Sequence, residues 1–185
     1  MNKLFSLALF IALLAACKKD TPPPPDPPCT ENGLPCLTTE GKNMFACLID
    51  GEPWIAQAPF SFGGPIPLYG EYNPQDGSLT LQATREIDDQ NVLEGIYVIG
   101  KNIFGLKNDS IRSNNPTPYG FINYEQSDCS EYFHDTLKKG VLNILYYDTV
   151  NYIISGTFSM DLFNSDCVDS VMHITQGRFD LKYSN

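Results

Sequence analysis

From Met44 onward the chain is a series of short runs in which apolar and polar residues alternate with a period of two, and no segment sustains a period of 3.6. The runs are MFACLI (44–49), SLTLQAT (78–84), GIYVIG (95–100), YGFINY (119–124), VLNILYY (141–147), YIISGTFSMDLF (152–163) and SVMHITQGRFDLKY (170–183). Alternation puts successive side chains on opposite faces of a strand, so each run has one face to bury. Asp50-Gly51 suits a tight hairpin with positive φ, returning through 54–57. Gly, Pro and Asn separate the runs, as antiparallel connections require. The pattern predicts an all-β domain over 43–185, an antiparallel β-sandwich in preference to a partly open β-barrel. In the last run the apolar face changes sides at Gln176-Gly177, which predicts a bulge or bend there. The Pro- and Gly-rich stretch 58–67 is expected to cross one end of the domain.

The chain before this domain is of another kind. After Met1, Asn2 and Lys3 come thirteen residues, Leu4 to Ala16, apolar except for Ser6. As a helix they rise only about 20 Å against a hydrocarbon core of about 30 Å, so they read as a signal-peptide core, with 1–16 removed. Leu14-Ala15-Ala16-Cys17 resembles a bacterial lipobox. That resemblance implies that Cys17 becomes the first mature residue and carries acyl chains, which hold the protein at a bilayer because each buried methylene contributes about 0.8 kcal/mol. Lys18, Lys19 and Asp20 resemble the charged signals with which Bacteroidota lipoproteins reach the outer leaflet of the outer membrane. TPPPPDPP (21–28) supports neither helix nor ladder and favours extended polyproline II. Residues 17–42 are therefore expected to be a lipid-anchored tether, with the domain at 43–185.

Net charge and cysteine count narrow the classes further. A formal charge of −10 repels phosphate backbones, and nucleic-acid binding is not expected. Past Cys17 there are five cysteines, Cys29, Cys36, Cys47, Cys129 and Cys167, so an oxidising compartment leaves an odd thiol. Cys29 and Cys36 flank the turn-rich TENGLP and are expected to pair. Connectivity among the other three stays open from sequence, with a lean to Cys47 with Cys167. Without a Cys-x-x-Cys pair and with only His134 and His173, neither a metal nor a cofactor is expected.

Catalytic patterns are sparse. There is no Gly-x-Ser-x-Gly elbow. His134 sits in the turn-like EYFHDT and His173 in a strand, each read as a surface or satisfied histidine. Asp88 with Asp89, and Asp166 with Asp169, are candidates for acid-base work, and Asn164, Asp166 and Asp169 for calcium, but the EF-hand spacing is missing. Four tripeptides run Asp, Ser or Thr, aliphatic, and contain Ser110, Thr136, Thr149 and Ser170, where composition alone predicts about half a match. They resemble the O-glycosylation sequon of Bacteroidota exported proteins. The same order arises where a turn leads into a strand. Tyr69, Tyr72, Tyr119, Tyr124, Tyr146 and Tyr147 are candidates to stack on sugar rings, against a core-packing role that serves them as well; Trp54 reads as a core anchor.

GKNMFACLIDGEPW (41–54), IISGTFSMDLF (153–163) and ITQGRFDLKY (174–183) together resemble a group of uncharacterised Bacteroidota lipoproteins. The resemblance covers both ends of the domain and implies location and an all-β build, without catalytic residues. The leading expectation is a non-enzymatic, lipid-anchored envelope or surface lipoprotein of the outer membrane, with an unknown protein or glycan partner. The alternative is a glycan or lipophilic-ligand binder using an aromatic face or barrel mouth, and the third is a hydrolase using carboxylates.

Overall fold

In the structure, a computed structural model, the described residues are 29–57, 67–87, 92–101, 103, 111–113, 119–123, 129, 131–134 and 140–184. The leader, Cys17, most of the 58–67 loop, Asp88, Asp89, Ser110, Tyr124 and Thr136 lie outside them. The described residues form strands and no helix: β1 (Thr30–Glu31), β2 (Leu34–Pro35), β3 (Met44–Ile49), β4 (Glu52–Ile55), β5 (Leu68–Asn73), β6 (Ser78–Ile87), β7 (Val92–Gly100), β8 (Ile111–Ser113), β9 (Tyr119–Asn123), β10 (Glu131–His134), β11 (Val141–Asp148), β12 (Ile153–Phe163) and β13 (Val171–Lys182).

Local chemistry sets the turns. Asp50 and Gly51 have φ of 50° and 91°, and Ile49 pairs with Glu52, so they form the two-residue type I′ turn whose twist matches that of the strands it joins. Asn32 and Gly33, at 54° and 77°, do the same between β1 and β2. Gln176 has φ of 51°, and the β13 register against β3 shifts between Thr175 and Arg178, so the side-switch legible in the sequence is a bulge. Opposite it, the Phe158 ring lies over Gly177, where a Cβ would come within 2.6 Å of ring atoms.

All principal pairings are antiparallel, in the order β4-β3-β13-β12-β10-β9-β7-β6-β5, with β11 paired to β12 and β8 to β11. The long β12 forks the sheet: β11 pairs with residues 153–159 and β10 with 162–163. The β5–β6–β7 side thereby folds over β3, β13, β12 and β11. Leu181 of β13 fills the space beside Gly70 of β5, and Leu142 of β11 that beside Gly100 of β7. The two layers bury one core, in which Phe45, Trp54, Leu79, Leu81, Ile96, Leu142, Ile154 and Phe179 are almost wholly inaccessible. The sandwich alternative holds. Among the described residues only single parallel bridges, Gln57 to Arg85 and Glu71 to Ser184, reach across at the ends of the path, and no barrel closes.

Two expectations are corrected here. EYFH, read as part of a turn, is strand β10, with Tyr132 facing inward between exposed Glu131 and Phe133. Residues 29–42, expected as part of the tether, pack against the sheet, because the Asn-Gly turn and a disulfide fold this stretch back onto it.

Candidate functional site

Residues 29–42 form a collar on the outer face of β3 and β13. Cys29 and Cys36 are joined, their Cα atoms 5.4 Å apart, and close the β1–β2 hairpin. Its Leu34, 0 % exposed, packs on Ala46, Leu48 and Met44, the outward side chains of β3. Beyond the hairpin the chain wraps around one carboxylate. Fully buried Asp180 of β13 accepts from the Thr38 hydroxyl and from the backbone N–H groups of Glu40 (3.1 Å), Gly41 (2.9 Å) and Lys42 (3.2 Å). A carboxylate taken out of water needs such donors on its lone pairs, and here a strap of backbone supplies them.

Between the collar and the sheet lies a polar groove of about 600 Å³. Its floor follows one cross-strand row, Asn143 on β11 opposite Thr157 on β12, and Thr157 opposite Arg178 on β13. Asn143 Nδ2 donates to Thr157 Oγ1 at 3.2 Å, while Asn143 Oδ1, itself buried, has no hydrogen-bond partner among the described residues. The Arg178 side chain is 9 % exposed and donates through Nη1 to Glu31 Oε2 at 3.1 Å and to the Pro35 carbonyl at 3.4 Å, and through Nε to the Gln176 carbonyl at 3.3 Å. Asn32 donates to Gln176 Oε1 at 2.9 Å across the opposite wall. Leu37, Phe158 and Gly177 contribute the apolar part of the lining.

A second recess of about 390 Å³ opens at the β3–β4 turn, lined by Ile49, Glu52, Trp54, Arg85, Tyr132 and Met172 among others. Its polar side is a closed set. Glu94 Oε2 accepts from Trp54 Nε1 (2.8 Å), Arg85 Nε (3.0 Å) and Arg85 Nη2 (2.5 Å), and the guanidinium lies 5.5 Å from the Trp54 ring centre. These groups satisfy one another and hold β4, β6 and β7 together.

The sequence candidates scatter. Tyr72 is buried, donates to the Ile103 carbonyl at 2.8 Å and meets Tyr147 and Tyr183 edge-on. Tyr147 stacks on Tyr183, which Tyr152 covers from the outside. Burial pushes the Tyr72 and Tyr183 hydroxyls above the usual phenol range, helped at Tyr183 by its bond to Tyr147. Tyr69 and Tyr146 are partly exposed and donate to Glu71 (2.6 Å) and Asp148 (3.4 Å). Tyr119 is placed in β9 by its backbone. The described tyrosines thus make a packed cluster and two hydrogen-bonded surface groups rather than one open row. Asp148 accepts from Val150 and Asn151, so in its tripeptide the acid shapes the turn that exposes Thr149. Ser170 is half-buried. Asn164 spends its amide on Asp166 and on the Glu131 carbonyl, and among the described residues no three His, Cys, Asp or Glu side chains gather as metal ligands. His173 is exposed, its Nδ1 2.7 Å from Asp161.

The expected link from Cys47 to Cys167 is overturned. Cys167 pairs with Cys129, Cα atoms 5.3 Å apart, and Cys47 is free. Cys47 points from the middle of β3 into the core beside Trp54, whereas Cys167 lies in the loop after β12, next to residue 129. Burial pushes the Cys47 thiol up to about 12, the Arg85 charge opposing weakly. No protein-family model, curated protein or solved structure matches this chain. Sequence reasoning missed the groove, because its row joins residues 143, 157 and 178 through register alone.

Proposed function

We propose that this protein is a non-enzymatic binding module of the cell envelope, held at the outer membrane by acyl chains on Cys17 and presented to a partner by its β-sandwich. The observation that carries this reading is the collar. Just where the Pro-rich segment meets the domain, a disulfide, a buried apolar side chain, the Arg178–Glu31 ion pair and the Asp180 strap fasten the chain to central strand β13. A loose linker needs none of these, and a chain tethered at one end benefits from all of them. With the collar folded into the domain, the spacer is residues 17–28, which at about 3.1 Å per residue reach at most about 40 Å.

The test is detergent phase partition of the protein made in a lipoprotein-processing host. The native chain is expected in the detergent phase, and Cys17→Ser in the aqueous phase with an unchanged β-sheet circular dichroism spectrum. Recovery of both chains in the aqueous phase contradicts the anchor.

A further inference from the structure

We propose that the groove between the collar and strands β11, β12 and β13 is a binding site for a neutral saccharide. This rests on the reading of the protein as a binding module and names the ligand class and the side chains that meet it.

Asn32, Asn143, Gln176, Arg178 and Glu31 bring planar amide, guanidinium and carboxylate groups, and Thr157 and Ser159 bring hydroxyls. Such groups bind vicinal hydroxyls by paired donation and acceptance. Leu37 and Phe158 supply apolar surface for the C–H face of a sugar ring. A volume of about 600 Å³ falls within the range of small-molecule sites and admits one or two sugar units.

Charge selects against ionic ligands. Arg178, the one basic residue among the described lining residues, is neutralised by Glu31 at 3.1 Å, and the whole chain carries −10, so an anionic glycan meets net repulsion. Backbone pairing selects against an extended peptide. Peptides that add to sheets need an unpaired strand edge, and along the row β11 has β8 and β12 beside it, β12 has β11 and β13, and β13 has β12 and β3. Recognition in this groove runs through side chains alone.

Asn143 gives the row a polar atom to satisfy. Its buried Oδ1 lacks a partner among the described residues, at a cost that a leucine there would not bear. The amide turns easily about its last torsion, so a ligand hydroxyl gives Oδ1 the donor it lacks while the Thr157 contact is kept or exchanged.

The experiment is two-dimensional NMR of the full chain in a detergent without a sugar head group. The probes are glucose, galactose, mannose, N-acetylglucosamine and their disaccharides. At least one is expected to shift the side-chain amide resonances of Asn32, Asn143 and Gln176, with a dissociation constant of about 1 mM or tighter. Thr157→Val, which keeps shape and removes the hydroxyl, is expected to weaken that binding about 3- to 10-fold. Asn143→Leu is expected to abolish it while melting at the same temperature as the native chain or higher. Absence of these shifts with every probe, shifts confined to the Trp54 recess, or undiminished binding by Asn143→Leu overturns the proposal; so does an unstructured peptide that moves the same resonances when no sugar does. Phase partition reports on the anchor separately, so a chain that binds sugar without being acylated, or the reverse, shows which reading failed.

Discussion

Glu94 of β7 ties β4 and β6 together through a single oxygen that accepts from Trp54 and Arg85. Removing it as Glu94→Ala leaves the Arg85 guanidinium and the Trp54 indole N–H without their acceptor. Because the Arg85 side chain is 30 % exposed and partly served by water, the expected loss is about 2–3 kcal/mol rather than the full cost of a broken buried pair. A shifted urea midpoint checks it, and Trp54, the one tryptophan, reports the loosening as a red shift of its emission. Cys47 yields a second prediction. Burial pushes its thiol up from the ordinary 9.0 to about 12, so the native state keeps its proton where the unfolded state has lost it. Stability from this source is complete below pH 9 and is lost as pH rises toward 12, and buried Tyr72 and Tyr183, raised from 10.0, act with the same sign. Denaturation midpoints measured from pH 7 to 12 should be level and then fall, with Cys47→Ala moving the onset upward. A decline that starts near neutrality contradicts the assignment. Trp54 was legible as a core anchor from its type and strand. That its indole would find an acid forty positions away was not, because no local pattern encodes a partner brought by the fold.

At the scale of elements, the collar depends on Asp180. Asp180→Ala removes the acceptor from the amides of Glu40, Gly41 and Lys42 together, with an expected cost of about 2–4 kcal/mol and fast hydrogen exchange at those three amides while the β12 and β13 amides stay protected. The Asp50-Gly51 turn makes a cleaner test of backbone geometry. A Cβ at Gly51 meets nothing within 4 Å, so Gly51→Ala should cost only the torsional penalty of φ 91°, about 1 kcal/mol. Long runs with full alternation, such as 78–84, 141–147 and 152–163, were legible because one face is buried for most of their length. LYGEYN was not, since Gly70 interrupts the pattern to let Leu181 of the opposite layer fill its place. EYFH hid because a four-residue strand flanked by polar residues has the composition of a turn. Asn32-Gly33 is a strong hairpin signal, but polyproline before it and the Cys29–Cys36 pair around it hide the strands it joins.

Over the whole molecule, a collar leads to a sandwich whose outer face carries the proposed groove, and the proposed function adds an anchor and a short spacer before it. The collar end was legible only as a Cys29–Cys36 loop, since sequence shows which residues can close a ring but not which face of a sheet will receive it. The proposal of an exported protein extends to glycans on the four Asp-Ser/Thr-aliphatic tripeptides. Intact mass of the secreted chain is expected to exceed polypeptide plus acyl groups by repeated hexose-sized steps, with Thr149→Ala removing one set; a mass without such steps ends that part of the account. The anchor itself is tested most directly by mass spectrometry of the N-terminal peptide of the protein isolated from its native membrane. The account predicts a peptide that starts at Cys17 and bears a thioether-linked diacylglycerol, whereas a peptide that retains residues before 17, or a Cys17 with an unmodified thiol, contradicts it.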